Sequence, residues 1–325
     1  MNFKTTALVM FFAAACSTAP KPPPVTEAPP VAGPPQSFHV VNEGTELKTL
    51  VYGSGSRTLV LVHGGLGIPG YMNSLGELLA DEFRIVEYYQ RDAAETRSNG
   101  PFTIEAMSGD LAAIVRKFSD GGRPTVIAHS RGAAPALEFA KKYPELAERI
   151  VLIAPAGLDS ATNSARDQNI NARLPKLVKG WKGKTMLAQT AFETARTDAE
   201  KFEAYHRRLD LNWPAYFRDK QKPENLQFAR PNWAALKAIE SDFNRVMKEG
   251  TLKNGLERLS LPVLHLHGTL DPMPSAPTKE ALEKALPNYL FVPVEGASHF
   301  PWLDGAIRAH FISALKRSLA SPAKP

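Results

Sequence analysis

The sequence predicts an α/β fold: a mostly parallel central sheet flanked by helices, with a helical subdomain inserted late in the chain. Three observations carry this. From about Ser37 onward, short apolar or β-branched runs alternate with longer helical patterns, the arrangement of a parallel sheet covered by helices. Several of the runs are apolar on successive residues, as strands buried on both faces are. Between about Leu158 and Arg258 the alternation stops and only helical patterns remain. The 325 residues, 43% hydrophobic and 22% charged, are enough for one large domain with an insertion. A single Cys excludes a disulfide framework and a Cys-rich zinc site.

The first element is a leader. Lys4 precedes the apolar run from Ala7 to Ala15, which has the shape of a secretory signal peptide over residues 1–15 and is too short to span a bilayer. Ala13, Ala14 and Ala15 directly before Cys16 resemble the lipobox of bacterial lipoproteins. That resemblance implies lipidation of Cys16 and attachment to a bacterial membrane, with Ser17 favouring the outer membrane. Leu is usual where Ala13 stands, and Ala-x-Ala also suits ordinary signal peptidase, which would give a soluble periplasmic or secreted product. A tether follows over 16–36, because eight of the sixteen residues from Pro20 to Pro35 are Pro, a composition that stays extended.

The folded core is expected over 37–157 and 259–325. It opens with a hairpin, Phe38 to Val41 and Glu46 to Tyr52. The strands that follow are Thr58 to Val62, Phe83 to Tyr89, Thr125 to Ala128, Ile150 to Ile153, Val263 to Leu266 and Tyr289 to Val294. Helices fill the gaps, among them Ile104 to Phe118 and Ala133 to Lys142, the latter stopped by Pro144. The inserted helical cap spans 158–258. Trp233, Leu236, Ile239, Phe243 and Val246 make one apolar stripe; Phe192, Ala195, Phe202, Tyr205 and Leu209 make another. Ligands of open parallel sheets bind beyond the carboxyl ends of the strands, and an insertion after Ile153 covers that edge.

The net charge of +6 is concentrated in the cap, where nineteen Lys and Arg stand against thirteen Asp and Glu from Leu158 to Arg258. Arg166, Arg173, Lys176, Lys179, Lys182 and Lys184 face one acid, Asp167. This is either a solvated face or a surface for anionic lipid or the acidic part of a substrate. No nucleic-acid-binding signature accompanies it.

The chemistry-bearing residues follow strands. Ala128, His129, Ser130, Arg131 and Gly132 place a Ser at a tight strand-to-helix turn with small residues two before and two after, a geometry that exposes its hydroxyl beside a helix N-terminus. Taken alone, the same Ser would also serve as an N-cap. Upstream, a strand runs into His63, Gly64, Gly65, Leu66 and Gly67, where backbone amides can approach a ligand. Downstream, Asp271 and His299 each follow one of the last two strands. His63 and His267 are expected to hold loop backbone, His129 to point away from Ser130, and His265 to sit in the core. Asp304 is an alternative acid, with a surface or capping role expected. No His, Asp and Glu spacing resembles a metal site.

The order Ser130, Asp271, His299, each just after a strand, resembles the α/β-hydrolase family over nearly everything from Phe38 to about Leu315. That resemblance implies Ser130 as nucleophile, His299 as general base and then acid, and Asp271 as the group orienting the imidazole. It also implies an oxyanion hole from the backbone N–H of Arg131 with that of Gly65 or Leu66. No cofactor is implied, because such a mechanism needs only water. A Ser rather than an Asp at this turn argues against dehalogenases and epoxide hydrolases. The glycine run, followed by Tyr88, Tyr89, Gln90, Arg91 and Asp92 and then Thr96, Arg97 and Ser98, resembles the proline iminopeptidases. Leu66, Tyr89 and Asp92 depart from that pattern, and the expected amine-binding Trp-x-x-Trp-Glu segment is absent. Glu193, Glu200 and Glu203 are substitutes on a cap helix. The expectation is a serine hydrolase acting through an acyl-enzyme, an aminopeptidase or amidase related to the proline iminopeptidases with small peptide or amide substrates; a carboxylesterase on small esters, or a tethered binding protein without activity, are the alternatives.

Overall fold

The computed structural model describes residues 31–65, 70–219, 226 and 230–320; the leader, Cys16, the tether up to residue 30 and Leu66 lie outside the described residues. The chain opens with a hairpin of β1 (Val31–Asn42) and β2 (Thr45–Gly53). Its two connecting residues, Glu43 and Gly44, both have positive φ, 46° and 74°, which matches the turn to the right-handed twist of the strands. β1 begins earlier than the hydrophobic pattern indicates, so residues 31–36, read as the end of the tether, lie in the strand. The reason is position. β1 is at the sheet edge, where Pro34 and Pro35 remove no inner ladder bond, and the register shifts between Val31 and Gln36.

The remaining strands are β3 (Arg57–Val62), β4 (Phe83–Tyr88), β5 (Thr125–His129), β6 (Arg149–Ile153), β7 (Val263–Gly268) and β8 (Tyr289–Val294). The sheet order is β1-β2-β4-β3-β5-β6-β7-β8. β1, β2 and β4 pair antiparallel and every other neighbour pair is parallel. β5, β6 and β7 are buried at every residue, as strands covered on both faces are. Short α1 (Asn73–Glu77) precedes β4, α2 (Ile104–Phe118) precedes β5, and α3 (Ala133–Lys142) follows it. α2 starts where the Thr103 hydroxyl accepts the Ala106 N–H, and α3 ends at Tyr143, ahead of Pro144.

The strand order reverses between β3 and β5, which are neighbours although β4 follows β3 in the chain. Connections leave in opposite directions there, and a crevice opens at the carboxyl ends. The insertion after β6 carries α4 (Ser160–Leu177), α5 (Trp181–Thr194), α6 (Asp198–Asn212) and α7 (Trp233–Glu249). Leu236, Ile239, Phe243 and Val246 of the first stripe are buried. The second stripe is divided between two helices, because Thr197 and Glu200 form a reciprocal capping box that starts α6. Phe192 of α5 and Tyr205 of α6 still meet, with ring centroids 6.2 Å apart. After β7, α8 (Ser275–Ala285) and α9 (Arg308–Ala320) flank β8. No helix among the described residues is long and apolar enough to cross a membrane.

Glu87 on β4 is an exception in this core. It is buried, its one side-chain partner is the Tyr52 hydroxyl at 3.5 Å, and burial pushes its carboxyl up to about 8. The unfolded chain releases that proton near the ordinary carboxylate value. Across the interval the folded state therefore holds a proton that the unfolded state has lost, and stability falls as pH rises through it. Glu87→Gln, neutral at every pH, is expected to be more stable than the wild type at pH 8 by on the order of 1–3 kcal/mol. The gain should shrink towards pH 5 in paired denaturant titrations; a pH-independent difference contradicts the assignment.

Candidate active site

Ser130 stands between β5 and α3 in a three-residue 3₁₀ turn, Ser130–Gly132. Its φ is +53°, a left-handed conformation that a side chain normally avoids and that is held only where the surroundings leave no alternative. Two glycines create those surroundings. A Cβ on Gly64 would overlap the His129 carbonyl oxygen and lie 2.7 Å from Ser130 Cβ and 3.0 Å from the Arg131 amide nitrogen. One on Gly132 would lie 2.6 Å from the His63 oxygen and 2.7 Å from that of Val62. The β3 loop and the β5 turn thus pack backbone against backbone, as their adjacency in the sheet allows.

The sheet brings Ser130, Asp271 and His299 together. His299 Nε2 is 3.1 Å from Ser130 Oγ, and His299 Nδ1 is 2.8 Å from Asp271 Oδ2. The other Asp271 oxygen accepts the Met273 N–H at 2.8 Å. Burial alone would raise the Asp271 carboxyl, but His299, His267 and the Met273 N–H together hold it below the usual carboxylate range. A charged Asp271 accepts a hydrogen bond from the His299 Nδ1–H, which leaves Nε2 free to accept from the serine hydroxyl. Asp304 has no hydrogen bond to His299.

Two chains of neutral hydrogen bonds hold this line in place. His129 Nε2 faces the His299 carbonyl at 2.9 Å. A carbonyl only accepts, so the proton is on Nε2 and Nδ1 accepts from the Tyr71 hydroxyl at 2.5 Å. The Tyr71 oxygen in turn accepts the Gly64 N–H at 2.6 Å. One imidazole and one phenol therefore join the loops after β3, β5 and β8. Behind Asp271, His267 Nε2 donates to the Met273 carbonyl at 3.0 Å, His265 Nε2 donates to His267 Nδ1 at 3.0 Å, and the Tyr289 hydroxyl donates to His265 Nδ1 at 2.7 Å. Burial pushes His129, His265 and His267 below the ordinary imidazole value, so the rings act as neutral spacers.

His63 holds loop backbone, with Nδ1 3.1 Å from the Gly64 carbonyl. Gln90 N–H donates to its Nε2 at 3.1 Å, and the Gln90 side chain donates to the His63 carbonyl at 2.6 Å. Arg91 is fully buried and donates to both Asp110 oxygens at 2.6 and 2.8 Å. The Gln90 and Arg91 pair singled out in the sequence is thus scaffold for the glycine loop and α2.

Ser130 and His299 open into a cavity of about 460 Å³, walled also by Gly65, Arg131, Arg166, Tyr205, Tyr216 and Glu240. Gly65, at φ +67°, and Arg131 flank the space above Ser130; Leu66 lies outside the described residues. Tyr71, Tyr216 and the Arg131 side chain were not marked by the sequence pattern, since none belongs to a motif with fixed spacing. Among the described residues no cluster of three or more His, Cys, Asp or Glu is arranged to hold a metal ion.

A family model of the alpha/beta hydrolase fold matches residues 57–306. The chain belongs to the α/β-hydrolase family. It is 26% identical over 158 residues to the Mycobacterium tuberculosis protein named "Probable oxidoreductase EphD", a match covering 47% of this chain and 26% of that protein. The chain thus spans about a quarter of the length of that relative. An uncharacterized M. tuberculosis protein is 23% identical over 297 residues, 88% of this chain and 82% of its own. Among solved structures, a thermophilic esterase from Thermogutta terrifontis superposes with a TM-score of 0.60 at 21% identity, covering 90% of this chain and 100% of the esterase. An E-2-(acetamidomethylene)succinate hydrolase superposes with a TM-score of 0.59 at 18% identity, covering 88% of this chain and 100% of its own. At these identities the structural likeness is one of fold.

The α/β-hydrolase turn here depends on Gly64 having no side chain. Gly64→Ala is expected to displace the β5 turn, lower the thermal midpoint and cut the rate of Ser130 labelling by a fluorophosphonate at least a hundredfold. Labelling at the wild-type rate would show that the loops are not packed as described.

Proposed function

We propose that this α/β hydrolase is a serine hydrolase that cleaves small esters and amides through an acyl-enzyme. The observation that carries the reading is the continuous line Ser130 Oγ to His299 Nε2 to Asp271 Oδ2, at 3.1 and 2.8 Å, with the serine at φ +53°. In this reading Ser130 Oγ attacks the carbonyl carbon as His299 Nε2 takes its proton. Asp271 stabilises the imidazolium, and the backbone N–H groups of Arg131 and of Gly65 or Leu66 receive the developing oxyanion. His299 then protonates the leaving group. Water, deprotonated by the same imidazole, releases the acid and restores Ser130.

The cavity favours this general reading over an aminopeptidase. Recognition of a substrate ammonium needs a free carboxylate near the serine. Glu200 is committed to the capping box of α6, Glu193 accepts from Gln189, and neither these nor Glu203 lines the cavity. Of the acids that do, Asp167 is paired with Arg166 at 2.7 Å, and Glu240, exposed on α7, stands in the field of the Arg131 guanidinium, which opposes an ammonium there. Assays with short 4-nitrophenyl esters and with proline arylamide separate the readings. Ester turnover lost in Ser130→Ala, with arylamide cleaved far more slowly, is expected. Efficient arylamide cleavage restores the aminopeptidase, and failure of a fluorophosphonate to label Ser130 points to a binding protein on this fold.

We also propose that Cys16 is lipidated after export, so that the hydrolase works at a bacterial membrane surface. The support is the sequence of the leader alone. Radiolabelled palmitate should enter the wild-type chain and not Cys16→Ala; equal labelling, or none, sinks the proposal.

A further inference from the structure

Among the described residues, one cation of the cavity wall has no hydrogen-bonded or ion-paired partner. Arg131 follows the candidate nucleophile and lines the same cavity as Ser130 and His299. Among the described residues its guanidinium makes no hydrogen bond and no ion pair. It is held over the Phe243 ring of α7, 4.9 Å from the centroid. An Arg in a walled site normally finds a carboxylate, because a desolvated charge without one is costly. The other cationic side chains of the wall are already engaged. Arg166 pairs with Asp167 at 2.7 Å, and Arg208 donates to Gln189 at 2.7 Å while lying over Tyr205. Glu240 of α7, exposed at the cavity wall, acts on Arg131 only as a separate charge and forms no ion pair with it. Burial and the positive field of Arg166 push the Arg131 guanidinium below its ordinary value, which makes an anionic partner favourable there, and a guanidinium keeps its charge near neutral pH.

We infer that Arg131 receives a carboxylate of the substrate, so that the enzyme selects esters or amides whose acyl portion ends in a carboxylate. The inference rests on the serine-hydrolase reading above. The geometry has a simple logic. The Arg131 N–H flanks the site of the developing oxyanion, and its side chain extends from the same residue to Phe243 and the cap. One residue thus spans the reacting carbonyl and the far end of a short acyl chain. A planar guanidinium with a free fork matches a carboxylate in two parallel hydrogen bonds. A phosphate monoester would bring about two charges to a single free guanidinium.

The test compares mono-4-nitrophenyl glutarate with its neutral methyl ester, using the full chain. The wild type should prefer the acid by at least tenfold in kcat/KM. Arg131→Met should cut that ratio by at least tenfold, and Arg131→Lys should keep part of it, since charge survives but the fork does not. A merely structural Arg131 would change both esters alike and leave the ratio in place. Absence of acid preference in the wild type, or a ratio unmoved in Arg131→Met, overturns the inference while turnover of either ester upholds the serine-hydrolase reading. If Ser130 is labelled by a fluorophosphonate but neither ester is turned over, protection from the label decides. Protection by glutarate at lower concentration than by glutaramide, in the wild type and not in Arg131→Met, supports the carboxylate site; equal protection refutes it. An unlabelled Ser130 removes both readings together.

Discussion

The rest of the site depends on one backbone constraint, the left-handed conformation of Ser130 between β5 and α3. A residue of this kind costs on the order of 1–3 kcal/mol and persists only where its surroundings leave no alternative. Here they leave none. Parallel pairing of β3 with β5 puts two loop backbones in contact, and Gly64 and Gly132 are the positions where a single methyl group would force them apart. The strain therefore draws on the whole parallel sheet, and its product is a hydroxyl aimed away from its own chain, towards His299.

A second constraint is the shortage of charge. Apart from Asp271, the groups that align the site are neutral, namely His129, His265, His267, Tyr71 and Tyr289. Burial disfavours the imidazolium at all three histidines, and each ring then has one donor and one acceptor. A chain of such groups has a direction, since every proton position follows from the carbonyl at its end. Cationic spacers would compete with His299 for the Asp271 carboxylate, which His267 Nε2 approaches to 3.5 Å; neutral ones fix the place of His299 and leave its electrostatics to the carboxylate. The same economy explains why Arg131 stands out, as a cation in a wall whose other charges are paired or exposed.

Much of the scaffold was legible in the sequence because strands buried on both faces write their position in short, mostly apolar runs. β3, β5, β6 and β7 agree with those runs within a residue or two, and Ser130, Asp271 and His299 each stand just past one. Where periodicity and local chemistry disagreed, local chemistry won. The Phe192 to Leu209 stripe continued through a capping box that in fact divides two helices, and the proline-rich stretch hid the start of an edge strand. Tyr71 escaped notice for a different reason. Its role depends on three loops that meet only when the sheet forms, and no spacing in the chain encodes that meeting. The Gln90 and Arg91 segment had the converse fate, a pattern with a family resemblance whose side chains turn out to hold backbone and bind Asp110.

The cap is joined to the Ser130 turn more directly than its place as an insertion implies. The chain leaves β6 at Ala154, another non-glycine residue with positive φ, at 45°, and two residues later the Ala156 N–H donates to the carbonyl of Ser130 at 2.9 Å. From the other side, Tyr216, just after α6, accepts the His299 N–H at 3.2 Å through its backbone carbonyl and sets its ring against the imidazole, with centroids 5.2 Å apart. The serine is thus backbone-bonded to the start of the segment that walls the cavity, and the histidine to its middle, between α6 and α7. A substrate group that pulls on α4, α6 or α7, as a carboxylate held at Arg131 against Phe243 would, acts on elements tied to the reacting atoms. Recognition at the far end of the acyl chain can in this way improve the alignment of Ser130 and His299 as well as the affinity, and its effect would be expressed in kcat as much as in KM.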